Sequence, residues 1–518
     1  MLRERKLLIL AIGSLAIRAL FIAIKPLDSD EPQHLHVVWA WSRGLVQYRD
    51  VFDNHFPLLH LLFAPLMRVL PESSSIFTAM RCAIAPIALG CSWLLFKIGE
   101  PLIGRRAAIV AAILFSVAPP WLPVSTEFRN DTLWIFFWLA ALAFRDRPFA
   151  RGVAAALCLL ASVKALPLLL AHALAVASTR QPLAIKPLAR FACGAAIPML
   201  AFALFFGTIG AFDSMLYATL FYNVSLPVEA GRRIGGAVSF AVMAPVLALR
   251  APRGAAHLVL TAIWYPLILL CLWPSITPRD FLPLVPLAAL GVGQALSLSL
   301  LKRQAESLSG LKRQAESLSY TTTLLFIGAA IGSVMYADLR STEPSRARFV
   351  DAALALTKPD DFIYDLKGDT VFRRRPVHQI YDIVGRALTN NGTLADRGPE
   401  QIAANGCCVA IADVSYIPPR TRAFLNASFI GNGPLRVCGA NVRDGTFTIG
   451  VPQVYAVIAR DPSRIRIDGV PYSGPRFLDS GKHTLSSTES NLRVVWWRAA
   501  QTNRYIGRPS CRDSFSAF

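Results

Sequence analysis

Charge is scarce along this chain. Asp, Glu, Lys and Arg together make up 17% of the 518 residues, against 54% hydrophobic residues and a mean hydropathy of +0.45. No single water-soluble core needs so many apolar side chains, so the proportions exclude an ordinary soluble domain and indicate a polytopic membrane protein. Acids are scarcer than bases, 33 against 53, for a formal net charge of +20. No basic stripe with interleaved aromatics accompanies that charge, which argues against nucleic acid as a partner. The bases fall largely in short segments between apolar runs, as an orientation signal would. A cleavage site is also missing. Met1-Leu2-Arg3-Glu4-Arg5-Lys6 and the apolar residues to Ile24 imitate a secretory signal, but no small-residue motif precedes Lys25-Pro26, so the stretch reads as an uncleaved first helix.

What is present follows a membrane period. Scanned with a window of about 20 residues, apolar runs lie at 7–24, 78–98, 106–119, 131–144, 190–208, 236–250, 255–273, 281–299 and 320–337. The run at 152–178 is interrupted by Lys164 and Pro167 and reads as two short helices in a hairpin. The total is about eleven transmembrane segments, with the amino terminus cytoplasmic. Connections assigned inside carry Lys97/Arg105/Arg106, Arg145/Arg147/Arg151, Arg180/Lys186/Arg190, Arg250/Arg253 and Lys302/Arg303/Lys312/Arg313, in keeping with the positive-inside rule.

The same topology collects polar groups on the outer side: Asp28, Asp30, Glu31 and Asp53 in the first loop, Glu127, Arg129 and Asp131 in the second, Lys164 at the hairpin, and Arg279-Asp280 later. Each carboxylate would cost roughly 2.5 to 3.5 kcal/mol at a bilayer centre, so the loops sit outside the hydrocarbon, within reach of a substrate held at the interface.

Order and spacing sharpen the reading. Asp30-Glu31 is followed by His34-Leu35-His36-Val37-Val38-Trp39-Ala40-Trp41-Ser42-Arg43-Gly44 and Tyr48-Arg49-Asp50-Val51-Phe52-Asp53-Asn54-His55-Phe56-Pro57-Leu58; further along come Arg129-Asn130-Asp131, Val163-Lys164, and Pro278-Arg279-Asp280-Phe281-Leu282-Pro283-Leu284-Val285-Pro286. Over roughly residues 1–300 this pattern resembles the GT-C membrane glycosyltransferases, in particular bacterial relatives of protein O-mannosyltransferases and of the aminoarabinose transferase that modifies lipid A. The chain departs from them in having His34 and His36 where relatives often carry Tyr, and Arg279-Asp280-Phe281 where they often have Arg-Tyr. The resemblance implies inverting transfer of a sugar, a hexose or a pentose, from a polyprenyl-phosphate donor to a lipid, glycan or protein acceptor at the outer face of the bacterial inner membrane.

The residues suit such chemistry. A hydroxyl acceptor must lose its proton, and a carboxylate within about 3 Å can take it. Asp30 is the candidate base, with Asp28 the alternative and Glu31 beside it as a hydrogen-bonding partner or a like charge that raises its basicity. For a phosphate acceptor, already anionic, Asp30 would orient rather than deprotonate. Lys164 and Arg279 are candidates to meet the charge growing on the polyprenyl phosphate, and Glu127, Arg129 and Asp131 to position acceptor or sugar. Bland readings stand beside these: Lys164 as a snorkelling residue, Asp131 as a helix-start acid, and Arg18 as a bundle-facing side chain. His34, His36, His55 and His60 lack the spacing of a standard zinc site. The preferred reading is hydrogen bonding to sugar or an interfacial helix with Trp39 and Trp41 in the aromatic belt, with no metal required and a divalent ion as the alternative. Other function classes remain a transporter or flippase, although inverted repeats and mid-membrane ionisable residues are not evident, and a non-catalytic scaffold.

Residues 301–319 repeat Leu-Lys-Arg-Gln-Ala-Glu-Ser-Leu-Ser in tandem around Gly310, which reads as a duplication in an inner loop. From about Arg340 the composition becomes that of a soluble α/β domain, with a helix near 344–356 and buried strands at 408–412 and 454–458. The expected division is 1–338, the transmembrane module, and 339–518, a periplasmic domain. Cys407, Cys408, Cys438 and Cys511 lie where disulfides can form, with three pairings open.

Overall fold

The computed structural model describes residues 2–179, 184–225, 255–273, 276–306, 311–336, 346–412, 416–431 and 434–502. The chain forms two compact units, one of Met1–Glu31, Asn54–Phe63 and Phe77–Thr342, the other of Pro32–Asp53, Ala64–Ile76 and Glu343–Phe518.

The first unit is helical. Among the described residues three helices are long and apolar enough to cross a membrane: Arg5–Ile24, Ile76–Ile103 and Ile185–Thr208. Others, including Asn130–Ala143, Pro148–Ala161, Ala165–Ser178 and Ala256–Leu272, are apolar but shorter. The expected count of about eleven crossings is therefore not reached by helix length alone. The physical reason is local. Gly104, at φ +83°, separates Ile76–Ile103 from Arg105–Ser116. Extended Ser162 ends Pro148–Ala161. A 14-residue helix spans about 21 Å, short of a hydrocarbon core of about 30 Å. The expected run at 236–250 lies outside the described residues.

The break at 162–164 occurs where Lys164 and Pro167 interrupt the apolar pattern. Pro167 falls in the first turn of Ala165–Ser178, where an N–H has no intrahelical acceptor to lose. Pro148–Ala161 packs on Ile185–Thr208 at two glycines: a Cβ on Gly152 would meet Phe191 O at 2.0 Å, and one on Gly194 would meet Phe149 O at 2.1 Å. Leu200 and Leu204 are 60% and 68% exposed, an apolar surface suited to lipid. Arg18 is buried and faces the bundle, donating to Ser125 Oγ at 2.8 Å and to the carbonyls of Ser125 and Ser116. Within the tandem repeat the described residues are helical: 301–306 end Leu284–Glu306 and 311–319 open Leu311–Tyr336, as their Leu, Lys, Arg, Gln, Ala and Glu favour.

The second unit is α/β. Its strands are β1 (Ile363–Tyr364), β2 (Val409–Ile411), β3 (Phe429–Ile430), β4 (Leu435–Asn441), β5 (Thr446–Ile449), β6 (Gln453–Ile458), β7 (Arg466–Ile467), β8 (Val470–Pro471), β9 (Arg476–Leu478), β10 (Gly481–Ser486) and β11 (Arg493–Trp496). A seven-stranded sheet runs β1-β2-β4-β11-β6-β9 with β3 also on β4, and β5-β10-β7-β8 form a smaller one. Only the β1–β2 pairing is parallel among the described strands, set by Ile363 opposite Val409. Val409, Val437, Val457 and Val494, one from each of β2, β4, β6 and β11, lie in the core. Cys408 and Cys438 are joined by a disulfide between β2 and β4; Cys407 is buried and free, and Cys511 lies outside the described residues.

Residues 32–53, read from sequence as a membrane-side loop, are a packed part of this second unit. His36 Nδ1 lies 2.8 Å from Val371 O, and Asp53, fully buried, accepts from Gln33 Nε2 at 2.7 Å and Gln47 Nε2 at 2.8 Å. Trp39 stacks on His36 with ring centroids 5.5 Å apart and is 4% exposed. It is therefore a core residue and not part of an aromatic belt.

Candidate active site

The site grows from the turn that ends the first helix. Asp28 Oδ1 accepts the N–H of Asp30 at 3.0 Å, and Glu31 Oε1 accepts that of Asp28 at 3.0 Å. Short side chains bonding their own backbone hold this turn and present two carboxylates together. Arg129, extended just before the helix Asn130–Ala143, donates through Nη1 to Asp28 and to Asp30 Oδ2, the latter at 2.5 Å, and through Nε to Asp131 Oδ2 at 3.2 Å. Arg279 sits in the 3₁₀ turn Pro278–Phe281, whose Asp280 Oδ2 accepts Thr277 N at 2.6 Å and Thr277 Oγ1 at 2.9 Å. From there its guanidinium reaches Asp28 Oδ2 at 2.8 Å, Glu127 Oε2 at 2.6 Å and Asp131 Oδ2 at 3.5 Å. Lys25 also pairs with Glu127, and Lys164 Nζ lies 2.8 Å from Asp280 Oδ1.

These groups line a cavity of about 730 Å³ that also takes in Asn54, His55, Phe56, Asn223 and Trp273. Of the candidates named from sequence, Asp28, Asp30, His55, Glu127, Arg129, Lys164 and Arg279 line it, and Asp131 joins through its contacts with both arginines. Glu31 does not line it. That side chain, fully buried, accepts from Arg81 Nε at 2.7 Å and from the backbone N–H of Phe128 at 3.1 Å, so it ties the turn to its neighbours. His34 and His36 belong to the second unit, and His60 is buried in the first. Among the described residues no group of three or more His, Cys, Asp or Glu is placed to hold a metal ion.

The arginines set the charge state of Asp28. Burial pushes the Asp28 carboxyl up, but Arg129 and Arg279 outweigh it and bring the pKa down to about 2. For Arg129 burial acts downward, and Asp30 and Asp28 override it to hold the guanidinium well above its usual range.

Sequence reasoning assigned no role to Lys25, Arg81, Asn54, Asn223 and Trp273, and marked Asp280 only as one of the outer polar groups. A charged residue inside an apolar run was the available signal for Arg81. Asn223 carried none. It is brought in by a π-helical segment, Tyr217–Phe221, and bonds Asn54 O at 2.9 Å.

Neither a family model nor a curated protein matches the chain. Solved structures do. ArnT from Cupriavidus metallidurans in the apo state superposes with a TM-score of 0.57 at 14% identity, covering 83% of this chain and 97% of that one. The chain has the fold of ArnT. A second structure of that protein, bound to undecaprenyl phosphate, gives a TM-score of 0.54 with the same identity and coverage. The likeness is one of fold, as the resemblance read from the sequence implies.

Proposed function

We propose that the chain is an inverting GT-C glycosyltransferase that moves a sugar from a polyprenyl-phosphate donor to a lipid, glycan or protein acceptor at the outer face of a bacterial inner membrane. One observation carries the reading: in a single cavity two adjacent carboxylates, Asp28 and Asp30, meet Arg129, Arg279 and Lys164. Inverting transfer needs a base on one side of the anomeric carbon and preplaced cations for the leaving phosphate on the other. The fold shared with ArnT, a protein seen with undecaprenyl phosphate, supports a lipid-linked donor.

Roles follow from the contacts. Asp28, bridged by both arginines and lowered to about 2, is a poor base and serves to hold those cations. Asp30 takes the acceptor proton. Arg279 and Lys164 exchange their carboxylate partners for phosphate oxygens, the guanidinium as a fork and the ammonium as a point charge. Glu127, Arg129 and Asp131 hold Arg279 and the turn in register, and His55 contacts sugar or acceptor. In this reading the short helices complete about eleven crossings, residues 1–338 apart from 32–53 and 64–76 form the membrane module, and 339–518 lie in the periplasm.

The test is transfer from a radiolabelled panel of polyprenyl-phosphate sugars by purified protein in nanodiscs, with membrane extract as acceptor, comparing wild type with Asp30→Asn. Transfer from one donor that falls about 100-fold or more in the variant is expected. Undiminished transfer would remove Asp30 from the base role, and no transfer with any donor would leave a transporter or scaffold.

A further inference from the structure

Away from the cavity, a second polar cluster is built from three helices. Arg151 in Pro148–Ala161 donates through Nη2 to His172 Nε2 at 2.6 Å, and His172 Nδ1 lies 3.0 Å from Thr261 Oγ1. Thr261 in turn donates to the carbonyl of His257 at 2.6 Å, and the rings of His172 and His257 are 5.9 Å apart. Arginine can only donate, so His172 accepts at Nε2, carries its proton on Nδ1 and is neutral. Thirteen residues separate Arg151 from Lys164, about 20 Å along a helical axis, so Arg151 stands at the far end of its helix from the cavity.

The cluster carries an uncompensated cation. Arg151 is half-buried and makes no ion pair among the described residues. The chain around it offers no acid: none occurs between Asp146 and Asp213, or between Glu229 and Asp280. A half-buried guanidinium without a counter-charge is costly, and among the described residues only one of its five N–H groups has an acceptor. Trp264, seven residues along from His257 and so on the same helical face, is 37% exposed and offers an apolar wall beside the polar cluster.

We infer that Arg151, in the cluster it forms with His172, Thr261 and His257, binds the phosphate headgroup of an anionic phospholipid, whose acyl chain lies along Trp264. A phosphate monoanion supplies the missing charge and accepts several N–H groups at once, and the juxtaposed apolar surface favours a lipid over the free ion. The site is independent of sugar transfer.

The experiment is native mass spectrometry of the full chain from nanodiscs containing phosphatidylglycerol or phosphatidylcholine, for wild type, Arg151→Gln, Arg151→Lys and the surface control Arg145→Gln. Wild type and the control should retain phosphatidylglycerol over phosphatidylcholine, and Arg151→Gln should retain about tenfold less, with Arg151→Lys between them. Equal retention by wild type and Arg151→Gln, or no preference for the anionic lipid, would overturn the assignment. Loss of the lipid to excess inorganic phosphate would also overturn it, by making the site one for a free anion. Should Arg151→Gln not fold, photoactivatable phosphatidylglycerol on the wild type decides: labels within 257–264 support the site, and labels elsewhere refute it.

Discussion

Asp28 and Glu31 lie three residues apart in one turn yet meet opposite surroundings, and their substitutions should separate accordingly. Asp28 is 22% exposed on its side chain and faces the cavity between two arginines. Its pKa of about 2 lies below the unfolded value near 3.9, so its contribution, on the order of 2 kcal/mol, is fully present above about pH 4 and disappears as pH falls through about 2. Asp28→Asn should therefore lower the unfolding midpoint clearly at pH 7 and less at pH 3; an equal loss at both would exclude the ionised carboxylate as its source. Glu31 is sealed against Arg81, which also donates to the carbonyls of Lys25 and Pro26. Removing one partner of such a pair leaves a buried charge, so Arg81→Met should cost about 3 to 5 kcal/mol. Adding Glu31→Gln should restore part of that stability, and strictly additive losses in a denaturation cycle would count against the pair.

At the scale of elements, the crossing of Pro148–Ala161 on Ile185–Thr208 depends on two positions without a Cβ. At Gly152 the obstacle is the backbone carbonyl of Phe191, and at Gly194 that of Phe149, neither of which can rotate away. Gly152→Ala should destabilise the helical unit by about 1 to 3 kcal/mol through separation of the helices. Gly207, where an added Cβ meets nothing within 4 Å, is the control: Gly207→Ala should be harmless or slightly stabilising. Thermal unfolding in detergent distinguishes the two, and equal midpoints would remove the close crossing as a determinant. The 3₁₀ turn at Pro278–Phe281 makes a different point. Sequence comparison marked Asp280 as a departure from an aromatic residue; the turn uses it as a cap for Thr277 and as the partner of Lys164. Asp280→Asn keeps the cap acceptor but loses the charge, so donor affinity should change more than stability. A drop in stability with unchanged KM would make the residue structural only.

For the whole molecule, stability and orientation are separate questions. Cys408 and Cys438 close a loop of sequence separation 30 within the second unit. Replacing both with Ala should lower that unit's stability by about 3 to 4 kcal/mol, read as an earlier transition that reducing agent no longer shifts. The proposed orientation predicts that a single cysteine at Asn391 reacts with an impermeant maleimide on spheroplasts, while one at Arg105 reacts only after lysis. The reverse pattern would invert the topology.

Composition and apolar spacing alone determined that this is a helical membrane chain with a C-terminal α/β region, because hydrophobic excess, basic connections and short β-type runs are properties of contiguous residues. Strong helix formers made the described residues of the tandem repeat helical, and interrupted apolar runs became helices too short for a straight crossing. Much of the site was legible for the same reason, since Asp28, Asp30, Glu127, Arg129 and Asp131 stand next to helix ends that the hydropathy pattern marks. Only the tertiary structure decided that Asp28 is bridged by arginines 101 and 251 residues away, that Glu31 turns inward to Arg81, and that residues 32–53 pack as core. Long-range partners of a carboxylate are chosen by which helix ends converge, and no local pattern encodes that convergence.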